Sequence, residues 1–342
     1  MATILAIAAQ AAVAQACIEW ADTVFDFGVF DESARPMTGR LRFTNTGDSV
    51  LLITRVQPTC GCTIADYPTG AIAAGDTASL TLTYTPTGRP GPFEKDVFIY
   101  TNGLKHKSVV AVKGRMRGTP ESVDRYYPRS AGAMRLSKTA LLAGEVVKGR
   151  TRNVTTRIYN HLNDSILLRT IDCPPHISPH AVDSVLGPAD ATTLSLFVDT
   201  RVAPLLGRNE DTVTIAAINR HSLQADTLRL TVISNIEQDF SGLTAEQLAA
   251  APVAFVADTW LRADSDGAAA FTLTNMGTDP LEIRRVYTEG ADLTQHNCSR
   301  RLLKKGEQAA ISLNASNITR QATVVVITND PLHPVIKLPI RN

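Results

Sequence analysis

Three stretches spaced evenly along the chain constrain its fold more than any other feature. Phe43-Thr-Asn-Thr-Gly-Asp-Ser-Val-Leu-Leu-Ile-Thr-Arg-Val56, Ile158-Tyr-Asn-His-Leu-Asn-Asp-Ser-Ile-Leu-Leu168 and Phe271-Thr-Leu-Thr-Asn-Met-Gly-Thr-Asp-Pro-Leu-Glu-Ile283 each read as a β-strand, a tight turn and a second β-strand. Their turn asparagines, Asn45, Asn160 and Asn275, stand at equal intervals of 115 residues (45 to 160, 160 to 275). So regular a spacing indicates a tandem array of three units. A chain of 342 residues leaves each unit enough length to bury its own core.

Within the first unit, Arg40-Leu-Arg-Phe-Thr44 alternates, which puts Leu41 and Phe43 on one face and Arg40, Arg42 and Thr44 on the other. Leu80, Leu82 and Tyr84 repeat that pattern. Further strands are predicted from Phe25 to Val29, Val50 to Val56, Val97 to Tyr100 and Val109 to Val112. The turn Asn45-Thr-Gly47 supplies residues that tolerate positive φ. About seven short strands in ~100 residues is the pattern of an immunoglobulin-like sandwich, and long helical patterns are nearly absent.

The expected fold is therefore all-β, three tandem immunoglobulin-like β-sandwich domains after an N-terminal signal peptide. The boundaries expected are a signal peptide at 1–16, domain 1 at 17–118, a linker at 119–133, domain 2 at 134–236, a linker with a short helix at 237–252, and domain 3 at 253–342. Thr244-Ala-Glu-Gln247 reads as a capping box opening a helix from Ala245 to Ala250, stopped before Pro252. Lys113, Arg115, Arg117, Arg125, Arg129 and Arg135 lie in or beside the first linker with only Glu121 and Asp124 opposed. They read as a solvated linker, with contact to an acidic partner as the alternative.

Residues 2–16 carry no charge, suit the apolar region of a signal peptide and are too few to span a bilayer as a helix. Ala14-Gln-Ala16 fits the small-x-small cleavage rule, and Ala12-Val-Ala14 competes with it. Cys17 would be the lipidated residue of a lipoprotein, although the leucine of a lipobox is missing before it. Export is expected, to the periplasm, the outer membrane or the extracellular space. A net charge of +1 gives no field to hold nucleic acid or an anionic membrane.

Cysteine usage is the one candidate chemistry. Cys60, Cys62, Cys173 and Cys298 all follow the second strand of the repeated unit, in the same loop of their modules, and Cys17 stands apart. A bridge between Cys60 and Cys62 would be a small, strained and reducible ring. Free semi-buried thiols and a redox or metal function are the other readings. Cys173-Pro-Pro-His-Ile-Ser-Pro-His180 places a thiol beside His176 and His180, and Cys60 with Cys62 would complete a soft site if modules folded together. The paired spacing of a zinc finger or ribbon is missing, so the plainer reading is a surface loop. His106, His221 and His333 recur near the last hairpin of each module and read as turn residues. No serine-hydrolase, zincin, P-loop or dinucleotide fingerprint occurs, and no cofactor is expected.

Trp20, Asp26-Phe-Gly28, Phe43-Thr-Asn-Thr-Gly47, Cys60-Gly-Cys-Thr63, Gly75, and Thr101-Asn102 closing with Gly114 together resemble the DUF1573 family, abundant in Bacteroidetes and related to the ASH (ASPM/SPD-2/Hydin) immunoglobulin-like domains. The third module is similar to a diverged ASH domain through Phe271 to Gly277, Gly306, Thr328-Asn-Asp-Pro331 and Pro334. The second lacks Asn-x-Gly and Cys-x-Cys and resembles the fold more than the family. The resemblance implies an exported, non-enzymatic sandwich protein whose relatives serve as docking modules. Asp followed by Ser or Thr and an apolar residue, as in Asp48-Ser-Val and Asp211-Thr-Val, also looks like a Bacteroidetes O-glycosylation sequon, although the same pairs make good turns. The function expected is a multi-domain protein-binding or structural module of the cell envelope, acting on an unknown envelope protein. The alternatives are a thiol-redox or metal-handling module using Cys60 and Cys62, and a carbohydrate-binding module, the latter weakened by an aromatic content of 6% and two tryptophans.

Overall fold

A computed structural model describes residues 14–86, 88–203 and 205–341. Among these residues it shows three β-sandwiches, of eight, ten and nine strands, built on a common plan. In the first, one sheet has the order β1 (Ile18–Trp20), β3 (Met37–Asn45), β6 (Thr77–Tyr84), β5 (Thr63–Asp66). The other has the order β2 (Val24–Asp31), β8 (Lys107–Arg117), β7 (Gly91–Thr101), β4 (Ile53–Pro58). The alternation read from the sequence places Leu41, Phe43, Leu80 and Leu82 in the core, where they meet Val97, Ile99 and Val110 of the opposite sheet. Trp20 closes one end, its ring 5.0 Å from that of Phe43 and its indole N–H donating to Ser108 Oγ at 3.2 Å.

The second module repeats the plan. Its sheets are β14 (Ile177–Ala181), β16 (Ala191–Asp199), β12 (Thr151–Asn160), β10 (Met134–Leu136), β9 (Arg129–Ala131), and β11 (Ala140–Val147), β18 (Ala225–Glu237), β17 (Gly207–Asn219), β13 (Ile166–Asp172), β15 (Val185–Leu186). The third follows with β19 (Ala254–Val256), β21 (Ala268–Asn275), β25 (Gln308–Ser316), β23 (Asp292–Cys298), and β20 (Leu261–Arg262), β27 (Val335–Arg341), β26 (Thr323–Thr328), β22 (Leu281–Glu289), β24 (Leu302–Leu303). In every module the chain first pairs antiparallel in one sheet and then crosses to lie parallel to the last strand of the other. The crossing strand is bulged in the first two modules, at Gly28 (φ +67) and Gly144 (φ +69). Gly28 belongs to the Asp26-Phe-Gly motif, and its N–H bonds Asp26 Oδ1 at 2.8 Å. A glycine is required there because the bulge needs a left-handed residue.

Residues 119–133, expected as a linker, are structured. Thr119 caps α1 (Pro120–Tyr126), its hydroxyl accepting from Ser122 N–H, and β9 follows as an edge strand of the second module. Thr119-Pro-Glu121 is a helix-start signal that the linker reading passed over. Four of the six basic residues near it are paired with acids: Lys113 with Asp26, Arg115 with Asp190 and Arg117 with Asp31, all distant in sequence, and Arg135 with Asp124 of the same segment. α2 (Ala245–Ala250) forms with both halves of the Thr244/Gln247 capping box present.

Two junctions join the modules. Between the first and second, Tyr127 and Tyr159 stack at 5.0 Å, fully buried with Val123, Ala189 and Ala191, and the Tyr127 hydroxyl donates to Pro90 O at 3.4 Å. Between the second and third, Arg285 Nη1 donates to the carbonyls of Leu206 (2.7 Å) and Arg208 (2.9 Å).

Candidate functional site

The turn asparagines are not surface residues. Asn45, Asn160 and Asn275 are each 0% exposed, and none has a positive φ. Asn45 Nδ2 donates to the carbonyls of Ser49 (2.8 Å) and Ile72 (3.0 Å), while its Oδ1 accepts from Gly47 N–H (3.2 Å) and Cys17 N–H (3.3 Å). Gly47 is needed for a different reason from the one expected. Its φ is not positive, but a Cβ would collide with the Gln15 carbonyl. The repeated motif is thus a fold-holding device and leaves the unrepeated cysteines as the place for chemistry.

Cys60 and Cys62 form a disulfide with a Cα–Cα distance of 5.3 Å. Their loop is anchored apart from the bridge: Thr85 N–H donates to Cys62 O (2.9 Å) and Thr59 N–H to Asp96 O (2.9 Å). Thr63, 3% exposed, holds its Oγ1 3.4 Å from Cys60 Sγ. Both cysteines are half-buried, and Gly61 between them is exposed. They line a crevice of about 570 Å³ between the first and second modules, together with Arg89, Lys95 and Arg157 and a single acid, Glu94. Arg157 comes from β12 of the second module. None of these cations was singled out from the sequence, because they lie far from the Cys-x-Cys motif along the chain.

The remaining candidates are dispersed. Cys173 is half-buried, and its thiol donates to Ile177 O at 3.0 Å. Burial, followed by the charges of Asp172 and Asp211, pushes that thiol up from its ordinary value. His176 does not sit in a surface loop as expected. It is 3% exposed, with Nε2 3.0 Å from Asp211 Oδ2. His180 is exposed on β14. With Cys60 and Cys62 bonded to each other, the soft metal set drawn from the sequence is not assembled. Cys298 ends β23, one strand later than the loop expected for it. Cys17 is a free thiol. It is preceded by Gln15 and Ala16, which are built into the first module: Gln15 and Asp48 exchange hydrogen bonds, and Leu104 N–H donates to Ala16 O at 2.9 Å. The signal-peptide expectation falls on residues 1–13, outside the described residues, and on Ala14, Gln15 and Ala16.

No curated protein matches the chain. Among solved structures it is similar to a protein of unknown function from Porphyromonas gingivalis W83, at 19% identity over 61% of this chain and 98% of that one, with a TM-score of 0.48. It is also similar to the ASH/PapD-like domain 7 of human CEP192, at 11% identity over 33% of this chain and 92% of that one, TM-score 0.27. The three-domain titin fragment I67–I69 matches at 11% identity over 97% of this chain and 100% of that one, TM-score 0.21. The first sandwich, residues 18–116, which carries the Cys60–Cys62 bridge, matches the family model described as a protein of unknown function, DUF1573.

Proposed function

We propose that the chain is an exported binding protein of the cell envelope, presenting loops of a three-sandwich array to another protein. One observation carries this reading. The hairpin joining the last two strands of the main sheet displays an exposed leucine in all three modules: Leu104 at 64%, Leu223 at 76% and Leu332 at 65%. A single exposed leucine has no meaning, since folded proteins show many. Recurrence at the same tip of three divergent modules favours a shared contact over chance. The disulfide supports export, because such bridges persist in oxidising compartments.

The test is site-specific photo-crosslinking in cells that make the protein. A crosslinkable residue placed at 104, 223 or 332 is expected to trap the same partner from at least two tips. Probes on the exposed sheet face, such as at Arg40 or Arg42, should trap none. Equal labelling at tips and controls overturns the reading.

A further inference from the structure

The Cys60–Cys62 bridge spans one intervening residue, so it ties together nothing that the chain does not already hold close. The stabilisation a cross-link confers through the unfolded chain grows with the loop it closes, and this loop is minimal. The surrounding backbone is fixed by other means. β5 pairs with β6 from Thr63↔Tyr84 to Asp66↔Thr81, and Cys62 O and Asp96 O accept from Thr85 and Thr59 N–H. Cleaving the S–S bond therefore leaves the loop backbone in place and the two sulfurs as neighbours, an adjacent, half-buried dithiol at the mouth of an open crevice.

That crevice suits thiolates. Its charged lining is Arg89, Lys95 and Arg157 against Glu94 alone, and cations lower the cost of a sulfur anion. Thr63 Oγ1 lies 3.4 Å from Cys60 Sγ with its side chain out of solvent, placed to donate to that sulfur once it carries charge. Cys173 sits in the opposite setting, half-buried with the negative charges of Asp172 and Asp211 near it. Only the first of these environments is arranged for exchange.

We propose that Cys60 and Cys62 form a reversible dithiol/disulfide couple that exchanges with the dithiol of a protein substrate. A substrate thiolate attacks Cys62 Sγ, the Cys60–Cys62 bond breaks, and its electron pair leaves on Cys60 Sγ as a thiolate, to which the Thr63 hydroxyl donates a hydrogen bond. A second substrate thiolate then attacks the substrate sulfur of the mixed disulfide and releases Cys62. The substrate gains a disulfide and gives up two electrons and two protons, and the pair is reduced to two thiols. The reverse sequence reduces a substrate disulfide. This couple stands independently of the leucine-tip reading.

The full chain from Gln15 is equilibrated in glutathione buffers from fully oxidised to fully reduced, quenched with acid, alkylated, and mapped by peptide mass spectrometry. The expected result is a Cys60–Cys62 pair that passes between oxidised and reduced within that range while the thermal transitions stay in place. A Cys60→Ser chain is expected to accumulate glutathione on Cys62. Thr63→Val should slow reduction by roughly fivefold, the effect of one lost hydrogen bond to the leaving sulfur. A bridge that remains oxidised in fully reduced glutathione, or a first module that unfolds when the bridge opens, overturns the proposal. A Cys60→Ser, Cys62→Ser chain keeping its fold separates the second outcome from a mere folding defect.

Discussion

Asn45 and Asn275 hold corresponding backbone atoms of their two modules. Where Asn45 bonds Ser49 O, Ile72 O, Gly47 N–H and Cys17 N–H, Asn275 bonds Asp279 O (2.8 Å), Leu303 O (3.0 Å), Gly277 N–H (2.9 Å) and Val253 N–H (3.3 Å). One amide thus closes the turn, the stretch that follows β5 in one module and β23 in the other, and the segment entering the module. Both glycines also sit against that entering segment, where a Cβ would strike Gln15 O in one case and Ala251 O in the other.

Replacing either asparagine by alanine removes four hydrogen bonds to the backbone, and although Ile72 O keeps the Leu51 N–H, losing the set costs about 3 kcal/mol. Calorimetry of the full chain is expected to show the transition of the mutated module falling while the others hold. Asn275→Asp should do nearly as much harm, since a carboxylate faces two carbonyls it cannot donate to. A loss below about 1 kcal/mol in Asn275→Ala contradicts the role given to the amide.

The segment before Cys17 makes a second prediction. Ala16 is 2% exposed, and its carbonyl and that of Gln15 accept from Leu104 and Asp48 N–H. The same place in the third module is taken by Ala251 and Pro252, both buried in the middle of the chain. A chain starting at Gln15 is expected to keep the stability of its first module. One starting at Cys17 should lose about 2 kcal/mol through three hydrogen bonds and the buried methyl. If the proposed export removes a leader, cleavage after Ala14 is the event that keeps these bonds, and N-terminal sequencing of exported protein is expected to read Gln15. A mature chain beginning at Cys17, with or without lipid, refutes this.

What the sequence revealed is what neighbouring residues decide among themselves. Leu41 and Phe43 alternate with arginines, so their strand and its buried face were legible, and Thr244 with Gln247 announced α2 because a capping box is complete within four residues. The role of Asn45 was not legible, because Ile72 and Cys17 lie far from it along the chain and only the fold brings them to its amide. Gly47 was correctly marked as a turn glycine but for the wrong cause, since the obstacle is another segment's carbonyl and not its own φ. The cysteine loop divided the same way. Its position was readable, and so was Thr63 beside it, whereas Arg89 and Arg157 reach the sulfurs only in the tertiary structure.

Cys173 gives a prediction with a defined pH sense. Its thiol is pushed up, first by burial and then by Asp172 and Asp211, so at neutral pH a smaller fraction is thiolate than in an exposed peptide cysteine. Each unit of upward displacement cuts the thiolate fraction roughly tenfold below the pKa. Iodoacetamide labelling of Cys173 in the folded chain is expected to lag a cysteine peptide at pH 7.5 (an assay condition of about one unit below the usual thiol value) and to catch up as pH rises. Labelling as fast as the peptide at neutral pH removes the basis for contrasting this site with Cys60 and Cys62.

The junction between the second and third modules turns on Arg285. Its Nη1 serves the carbonyls of Leu206 and Arg208, its guanidinium carbon lies 4.4 Å from the Tyr287 ring centre, and the Tyr287 hydroxyl accepts from Arg208 N–H at 3.2 Å. Burial pushes the guanidinium pKa down, yet an arginine so placed stays cationic, and its planar fork and face suit two carbonyls and an aromatic ring at once. Lysine offers neither the plane nor the fixed fork, so Arg285→Lys and Arg285→Ala should weaken the junction similarly, by about 2 kcal/mol. Small-angle scattering is expected to show a larger radius of gyration for both variants, with proteolysis increasing in 237–252, while each module keeps its own melting transition. If Arg285→Ala scatters as the unmodified chain does and is cut no faster, the junction is held by other contacts, such as Tyr287 packed against Gly207.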